Sequence, residues 1–256
     1  ASLSGSLNYG AAGSAVNAGT YAITAGGLYS GQRGYAITSN AATLTIDRKA
    51  ATVTGGAVTS RDYDGTTAAT ISGATLSGLL SQDNGNVVVN TGTFDTKNAG
   101  TGKAVTAITT GSAGGNYIVT ATGLTGTITP KALTVSGVSV ASKSYDGNTK
   151  ATISGGTLNG LVTGETLNLS GQSGTFNDKN AGNGKAVTVT GATLADGSGL
   201  ASNYTVTNTT GATGTITQKA LTVSGATASD KVYDGSVSAT VNGGTLSGLV
   251  SGETLG

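Results

Sequence analysis

The sequence predicts an all-β protein built from small tandem domains, and three observations support this prediction. The string KALTVSG occurs at Lys131–Gly137 and again at Lys219–Gly225, and a looser copy, KAATVTG, begins at Lys49. A Tyr-Asp-Gly triplet follows each copy, and successive triplets lie 82 and 88 residues apart (145 − 63 and 233 − 145). Thr, Val and Ile dominate stretches that alternate in polarity, which is typical of β-strands. A period this long indicates separate small domains rather than one large core or the shorter coils of a β-helix.

Alignment of the copies divides the chain into two complete repeats and two partial ones. Residues 1–48, the N-terminal segment, match only the second half of a repeat, and residues 219–256, the C-terminal copy, match only the first half. Repeat 1 is predicted at 49–130 and repeat 2 at 131–218. We expect each complete repeat to form a small antiparallel β-sandwich or a β-grasp-like domain with one buried face.

Short alternating stretches in repeat 2, separated by Gly, Asn, Asp and Ser, predict six or seven strands. The strands are expected at Ala132–Ser136, Ala151–Ser154, Thr166–Leu169, Lys185–Thr190, Tyr204–Thr207 and Thr213–Thr217. A short helix is an alternative at Thr157–Thr163, where Leu158, Leu161 and Val162 have helical spacing. Most of the length difference between the repeats falls in the stretch GATLADGSGLASN, which we therefore predict to be a surface loop.

Composition excludes several classes of function. The chain has 13 Lys and Arg against 12 Asp and Glu, so it lacks the basic field that nucleic acid requires. No apolar run reaches the length needed for membrane insertion. Without Cys or His there is no disulfide, thiolate nucleophile or zinc-thiolate site. Because Gly-x-Ser-x-Gly elbows and phosphate-binding loops are also missing from the sequence, we expect no enzymatic activity and no cofactor.

Four motifs recur in the same order in both repeats. In repeat 2 they are Lys143-x-Tyr145-Asp146-Gly147, Gly174-Thr175-Phe176, Asp178–Gly182 and Asn203-Tyr204. This set resembles the YDG-type repeat domains of large bacterial surface proteins. The N-terminal segment, with Val16–Tyr21 and Thr43–Ile46, is similar to the MBG-type repeats found beside them. The motif residues of all copies are Tyr63, Asp64, Gly65, Phe94, Asn116, Tyr117, Tyr145, Asp146, Gly147, Phe176, Asn203, Tyr204, Tyr233, Asp234 and Gly235.

The Tyr-Asp-Gly triplet has a structural interpretation and a functional one. Asp-Gly favours a tight turn, and the Tyr ring would pack on the small core with its hydroxyl at the edge. The functional alternative is a glycan contact made by Tyr and Asp. Repeat 1 has Arg61 where the other copies have Lys143 and Lys231, and Asp95 lies one position earlier than Asp178 relative to the Phe. We therefore expect that the motif does not serve to fix one ion-pair geometry.

Two further hypotheses concern a covalent cross-link and a metal site. Asp178–Gly182 is predicted to be a loop, with a self-formed isopeptide bond between Lys and Asn or Asp as the alternative. Calcium between domains is the second hypothesis, because it binds clustered carboxylates such as Asp62 and Asp64. The other copies have Ser144 and Val232 at the position of Asp62, which argues against calcium.

The resemblance implies a stalk segment of a filamentous-haemagglutinin-like adhesin, which is secreted by a two-partner system to the bacterial cell surface and serves adhesion, aggregation or biofilm formation. The joints Thr129–Lys131 and Thr217–Lys219 leave almost no linker, so we expect the repeats to form a rod. One alternative is a module that binds extracellular polysaccharide or matrix through avidity. Another is strand exchange between copies of the chain, which would build a filament. The expected partners are neighbouring repeats, polysaccharide or other copies of the chain.

Overall fold

Strands make up most of the regular structure in the computed structural model, which describes residues 3–24, 26–32, 35–38, 40–207 and 211–255. Within these ranges, helical structure is limited to four short 3-10 turns, at Gly10–Ser14, Ser81–Asp83, Gly114–Asn116 and Ala201–Asn203. The predicted all-β class is therefore confirmed. The chain forms two compact units, residues 1–130 and residues 131–256.

The first unit contains the N-terminal segment and repeat 1. The N-terminal strands are β1 (Leu3–Asn8), β2 (Gly19–Ile23), β3 (Gly26–Ser30) and β4 (Ala42–Ile46), and they pair as β1 with β3 and β2 with β4. The strands of repeat 1 are β5 (Lys49–Val58), β6 (Arg61–Asp62), β7 (Ala68–Ser77), β8 (Val88–Phe94), β9 (Gly100–Thr110), β10 (Tyr117–Ala121) and β11 (Thr125–Thr129). They form one sheet in the order β10-β5-β7-β8-β9-β11-β6.

Repeat 2 follows the same order in shorter pieces. Its strands are β12 (Lys131–Val140), β13 (Lys143–Ser144), β14 (Lys150–Ala151), β15 (Ile153–Asn159), β16 (Leu167–Ser170), β17 (Ser173–Phe176), β18 (Gly182–Thr190), β19 (Thr193–Asp196), β20 (Tyr204–Thr207) and β21 (Ala212–Thr217). They form the sheets β20-β12-β15, β14-β17-β18-β21-β13 and β16-β19. A strand is present at each of the six places where the sequence predicts one, but the ten strands exceed the six or seven expected, because short strands such as β13 and β17 lie within the motifs.

Two local expectations are corrected. The helix considered at Thr157–Thr163 is wrong, because β15 runs to Asn159 and Gly160 follows with a φ of +101°. Leu158 lies in β15, whereas Leu161 and Val162 follow the end of that strand, so the three residues do not line one helical face. The insertion before Asn203 lies at the surface as predicted, but it is more than a loop. It contains β19, which pairs with β16 and lengthens the preceding hairpin.

Parallel pairings join the two halves of each complete repeat. β10 runs parallel to β5 with Tyr117 opposite Lys49, and β20 runs parallel to β12 with Tyr204 opposite Lys131. β11 and β21 likewise run parallel to β6 and β13. The other pairings within the repeats are antiparallel, as expected. Because parallel strands need a long connection, each repeat is completed only when its second half returns to its first.

The cores of the complete repeats contain residues from both halves. Leu133 in β12 is fully buried, and Phe176 in β17 is 2% exposed. Burial of each such side chain contributes about 1.5–3 kcal/mol. One cluster in repeat 1 consists of Ala51, Val87, Ala113 and Tyr117, and one in repeat 2 consists of Ala151, Phe176, Val187, Val189, Ala212 and Ile216.

The C-terminal copy has the first-half strands alone. These are β22 (Thr222–Ser224), β23 (Thr227–Ala228), β24 (Val241–Asn242) and β25 (Thr245–Ser247), paired as β22 with β25 and β23 with β24. Val223 is 66% exposed, whereas the equivalent Val135 of repeat 2 is 6% exposed. This core position of repeat 2 thus faces solvent in the C-terminal copy.

Candidate functional site: the motif clusters

The Asp-Gly pair forms a tight turn in all three copies. Gly65, Gly147 and Gly235 have φ values of +82°, +80° and +73°, a region that favours glycine. The Asp carboxylate accepts a hydrogen bond from the backbone N–H two residues later in each copy, at 2.8, 3.1 and 3.0 Å. This is the side-chain-to-backbone bond that makes Asp suited to turns.

A basic side chain spans each turn and forms an ion pair with the motif aspartate in all three copies. Arg61 lies 2.5 Å from Asp64, Lys143 lies 2.7 Å from Asp146, and Lys231 lies 3.0 Å from Asp234. The Arg for Lys exchange therefore preserves the ion pair. It survives because both side chains also donate to backbone carbonyls of the same loop, such as Thr66 O at 2.6 Å and Asn148 O at 2.9 Å.

The same basic side chain contacts the motif phenylalanine. The Arg61 guanidinium carbon lies 5.5 Å from the centroid of the Phe94 ring, and Lys143 Nζ lies 5.9 Å from that of Phe176. Both distances are within the range of a cation–π contact. Arg61 and Lys143 thus connect the turn to the buried ring in both complete repeats, in which Tyr and Phe are 31 residues apart (94 − 63 and 176 − 145).

A second ion pair follows the phenylalanine. Asp95 lies 2.7 Å from Lys103, and Asp178 lies 2.7 Å from Lys185. The one-residue shift between the two acids is absorbed by the loop, so the same ion pair forms in both repeats. The bond from Lys185, followed by the backbone N–H of Asn180, holds the pKa of Asp178 below its ordinary value. Lys103 and Thr96 do the same for the pKa of Asp95.

The triplet tyrosines have three different environments. Tyr63 is 1% exposed, Tyr145 is half-buried against the core of repeat 2, and Tyr233 is 93% exposed. The backbone N–H groups of Tyr63 and Tyr145 donate to Thr129 O and Thr217 O, which fastens the turn to the last strand of the repeat. The Tyr145 hydroxyl also donates to Glu253 in the C-terminal copy.

The Asn-Tyr pair anchors the returning strand through what we call the tyrosine–acid contact. The Tyr117 hydroxyl accepts a hydrogen bond from Leu80 N at 3.0 Å and donates to Asp83 at 2.6 Å. In repeat 2, Tyr204 accepts from Val162 N at 3.1 Å and donates to Glu165 at 2.7 Å. The bond to Asp83 raises the pKa of Tyr117 above its ordinary value.

The sequence analysis did not single out these acids. Asp83, Glu165 and Glu253 occupy equivalent positions, and the signal was an acidic residue in the same place in every copy. Lys103 and Lys185 were missed in the same way. Both recur, but a Lys nine residues beyond the Phe (103 − 94 and 185 − 176) does not indicate its partner until the hairpin is known.

The proposed calcium and isopeptide residues have other partners. Asp62 accepts from Thr129 Oγ1 at 2.5 Å, while Asp64 binds Arg61 and Thr66. Within the described part of the chain, no group of three or more acidic residues is placed to hold a metal ion. Lys179 Nζ lies 2.9 Å from Glu253 rather than on its neighbour Asn180. The isopeptide hypothesis stays a prediction, and intact mass would test it.

Comparison with protein-family models matches the YDG domain at residues 47–124, 129–211 and 217–256. The chain belongs to the YDG domain family. These three segments correspond to repeat 1, repeat 2 and the C-terminal copy, which we hereafter call YDG repeats. No curated protein and no solved structure gives a significant match to the chain. No helix in the described residues is long and apolar enough to cross a membrane.

Proposed function

We propose that the chain is a structural segment of the stalk of a secreted bacterial surface adhesin, where it holds a distal binding region away from the cell. The observation that supports this most directly is the use of the motif side chains within the protein. Arg61 and Lys143 bind turns and rings, and Tyr117 and Tyr204 bind acids of their own repeats. Motifs that recur because they maintain the repeats are what a spacer requires, since a spacer gains length by repetition.

The proposal includes the MBG-type assignment of the N-terminal segment and secretion to the cell surface by a two-partner system. In that segment β2 and β4 pair antiparallel, with Tyr21 opposite Leu44. A mixture of related repeat types in one chain is consistent with a spacer that has grown by duplication.

Small-angle scattering on chains with one, two and four YDG repeats tests the spacer. We expect the maximum dimension to rise by a constant increment of roughly 30 Å per repeat, which is about the diameter of a domain of this size. A maximum dimension that stays constant, or that grows as for a flexible chain, would contradict the proposal.

Carbohydrate binding is the second candidate function, and exposed aromatic side chains favour it. Tyr29 and Tyr35 of the N-terminal segment are 63% and 74% exposed. Such rings suit stacking against sugars, and repetition would add avidity. A glycan array with the whole chain and with the Tyr29→Ala/Tyr35→Ala variant decides between the candidates. Saturable binding that the variant loses would replace the spacer proposal.

A further inference from the structure

A groove lies between repeat 2 and the C-terminal copy within the second unit. It has a volume of about 360 Å³, and its walls include Tyr145, Ala181, Leu221, Val250 and Glu253. The lining is mainly apolar, with the Glu253 carboxylate at one side. A cavity of this size and character is in the range that accepts a small ligand or a few side chains.

The equivalent place in the first unit holds the Asn-Tyr pair of repeat 1. Lys49, Leu80 and Asp83 line it, and they correspond to Lys219, Val250 and Glu253, each 170 residues later. Asn116 and Tyr117 form part of its wall, and the remaining cleft is about 250 Å³. Repeat 1 therefore shows which residues fill this place when both halves of a repeat are present.

The side chain of Asn116 binds an Asn-Ala-Gly turn, Asn17 to Gly19, in the N-terminal segment that precedes repeat 1. Ala18 N donates to Asn116 Oδ1 at 2.8 Å, and Asn116 Nδ2 donates to Asn17 Oδ1 at 3.0 Å. The second unit has the same turn at Asn180-Ala181-Gly182, and both Asn180 and Ala181 line the groove. The polar partners of the asparagine are thus present beside the groove.

The groove also borders a strand edge that complete repeats cover. β5 and β12 each pair with a parallel strand that starts at the motif tyrosine, so that Val206 lies opposite Leu133. Among the described strands, β22 pairs with β25 alone. The backbone groups on its second edge are therefore available for β-augmentation.

The Glu253 carboxylate of the C-terminal copy can accept hydrogen bonds from two sets of donors at once. Tyr145 and Lys179 both bind Oε1 of Glu253. In repeat 2, the Tyr204 hydroxyl binds Oε2 of the equivalent Glu165. An incoming tyrosine would thus use a different oxygen from the one that Tyr145 and Lys179 already share.

We propose that this groove is a docking site for an extended strand of a YDG repeat that begins with Asn-Tyr. The strand pairs parallel to β22, with its tyrosine opposite Lys219 and its next inward apolar residue opposite Leu221. Its tyrosine hydroxyl donates to Glu253, and its asparagine binds the turn at Asn180 and Ala181. This inference does not depend on the stalk function, because it concerns how a first-half copy recognises a second half.

A peptide with the sequence of Leu200–Thr207 (LASNYTVT) tests the site on the full chain. Hydrogen exchange with mass spectrometry should show saturable protection of residues 219–222, which correspond to the residues of β12 that pair with Tyr204–Thr207 in repeat 2. The peptide with Tyr204→Ala should bind at least about tenfold more weakly, because a lost buried hydrogen bond to a charged group changes binding by that order. Absence of protection at millimolar peptide, or equal protection by the Tyr204→Ala peptide, would overturn the proposal.

Two chain variants locate the site. Leu221→Asp should abolish peptide binding, and Glu253→Ala should weaken it. Exchange across residues 150–190 of repeat 2 should stay unchanged in both, which shows that repeat 2 remains folded. Unchanged peptide binding in Glu253→Ala would contradict the assigned acid. Protection of residues 219–222 by self-association that excess peptide does not displace would place a different segment of a second copy in the groove and would overturn the proposal.

Discussion

Repeat 2 and the C-terminal copy begin with the same seven residues, KALTVSG, and fold differently. In repeat 2 this string lies in the ten-residue strand β12, which has partners on both edges. In the C-terminal copy it contributes the three-residue strand β22, which pairs on one edge among the described residues. Leu133 is fully buried, but the identical Leu221 is only half-buried. Local sequence thus defines a strand, and the second half of the repeat decides whether that strand belongs to a core.

The Tyr-Asp-Gly turn behaves in the opposite way. Lys231, Asp234 and Ser236 form the same bonded turn that repeat 2 has, although Tyr233 beside them is 93% exposed. The turn needs contacts within six residues alone, whereas the core needs strands that are about 70 residues apart (204 − 131). The turn therefore depends on residues close to it in sequence, whereas burial in the core depends on strands that are far apart in sequence.

The largest expected difference concerns the matched leucines. Leu133→Ala should destabilise repeat 2 by about 2–5 kcal/mol, because it removes a buried side chain and leaves a cavity. Leu221→Ala should cost less than half as much, since that site is still partly solvated. Urea denaturation followed by circular dichroism measures both. Equal costs would show that the C-terminal copy has a closed core.

The next test concerns the glycine in the last strand of each complete repeat, Gly126 in β11 and Gly214 in β21. A Cβ at Gly214 would lie 2.6 Å from Val140 Cγ1 and 2.9 Å from Phe176 Cε1, and one at Gly126 would lie 2.5 Å from Val58 Cγ1. Gly214→Ala should destabilise repeat 2 by about 1–3 kcal/mol through overpacking. Gly115→Ala is the control, because no atom lies within 4 Å of its added Cβ. A destabilisation as large for Gly115→Ala would refute this explanation. The melting of residues 219–255 should not change.

The tyrosine–acid contact should have a smaller effect. Tyr117→Phe removes the bond to Asp83 and should cost about 1–2 kcal/mol, in line with hydrogen bonds to charged groups. Tyr233→Phe in the C-terminal copy should cost nothing measurable, because its ring is exposed. The pKa of Tyr117 is raised on folding, so its contribution is present below the ordinary pKa of about 10 and is lost as the pH rises through the raised value. Equal losses of stability in Tyr117→Phe and Tyr233→Phe would contradict the difference between the complete repeat and the C-terminal copy.

The smallest difference should be found at the turn acids. Lys143 and the Asn148 N–H hold the pKa of Asp146 below its ordinary value, and Ser236 and Lys231 do so for the pKa of Asp234. Their stabilising effect is therefore present above about pH 4 and is lost as the pH falls through the lowered values. NMR titration should find the pKa of both carboxyls lowered. An ordinary pKa at Asp234 alone would mean that the turn needs the closed core.

The sequence predicted the strands of repeat 2 well because alternation and turn residues are local signals. It could not predict that Tyr204 returns to lie opposite Lys131, since no local pattern encodes a parallel partner. The ion pairs of the turn could not be predicted from the sequence for a related reason. Arg61 and Lys143 differ in shape, yet both reach the same carboxylate because the loop backbone supplies their other acceptors. The ion pairs are thus equivalent in the two repeats, although the basic residue and the spacing of the acids differ in the sequence.

Hydrogen exchange of the two identical strings tests the central claim, that the second half of a repeat closes the core that the first half begins. Residues 132–137 and 220–225 have the same intrinsic exchange rates, because each amide and the residue before it are the same in both strings. Any difference therefore reports folding alone. In the chain without added peptide, the account predicts that amides of residues 133–136 exchange at least about tenfold more slowly than those of residues 221–224. Equal protection of the two strings would contradict it.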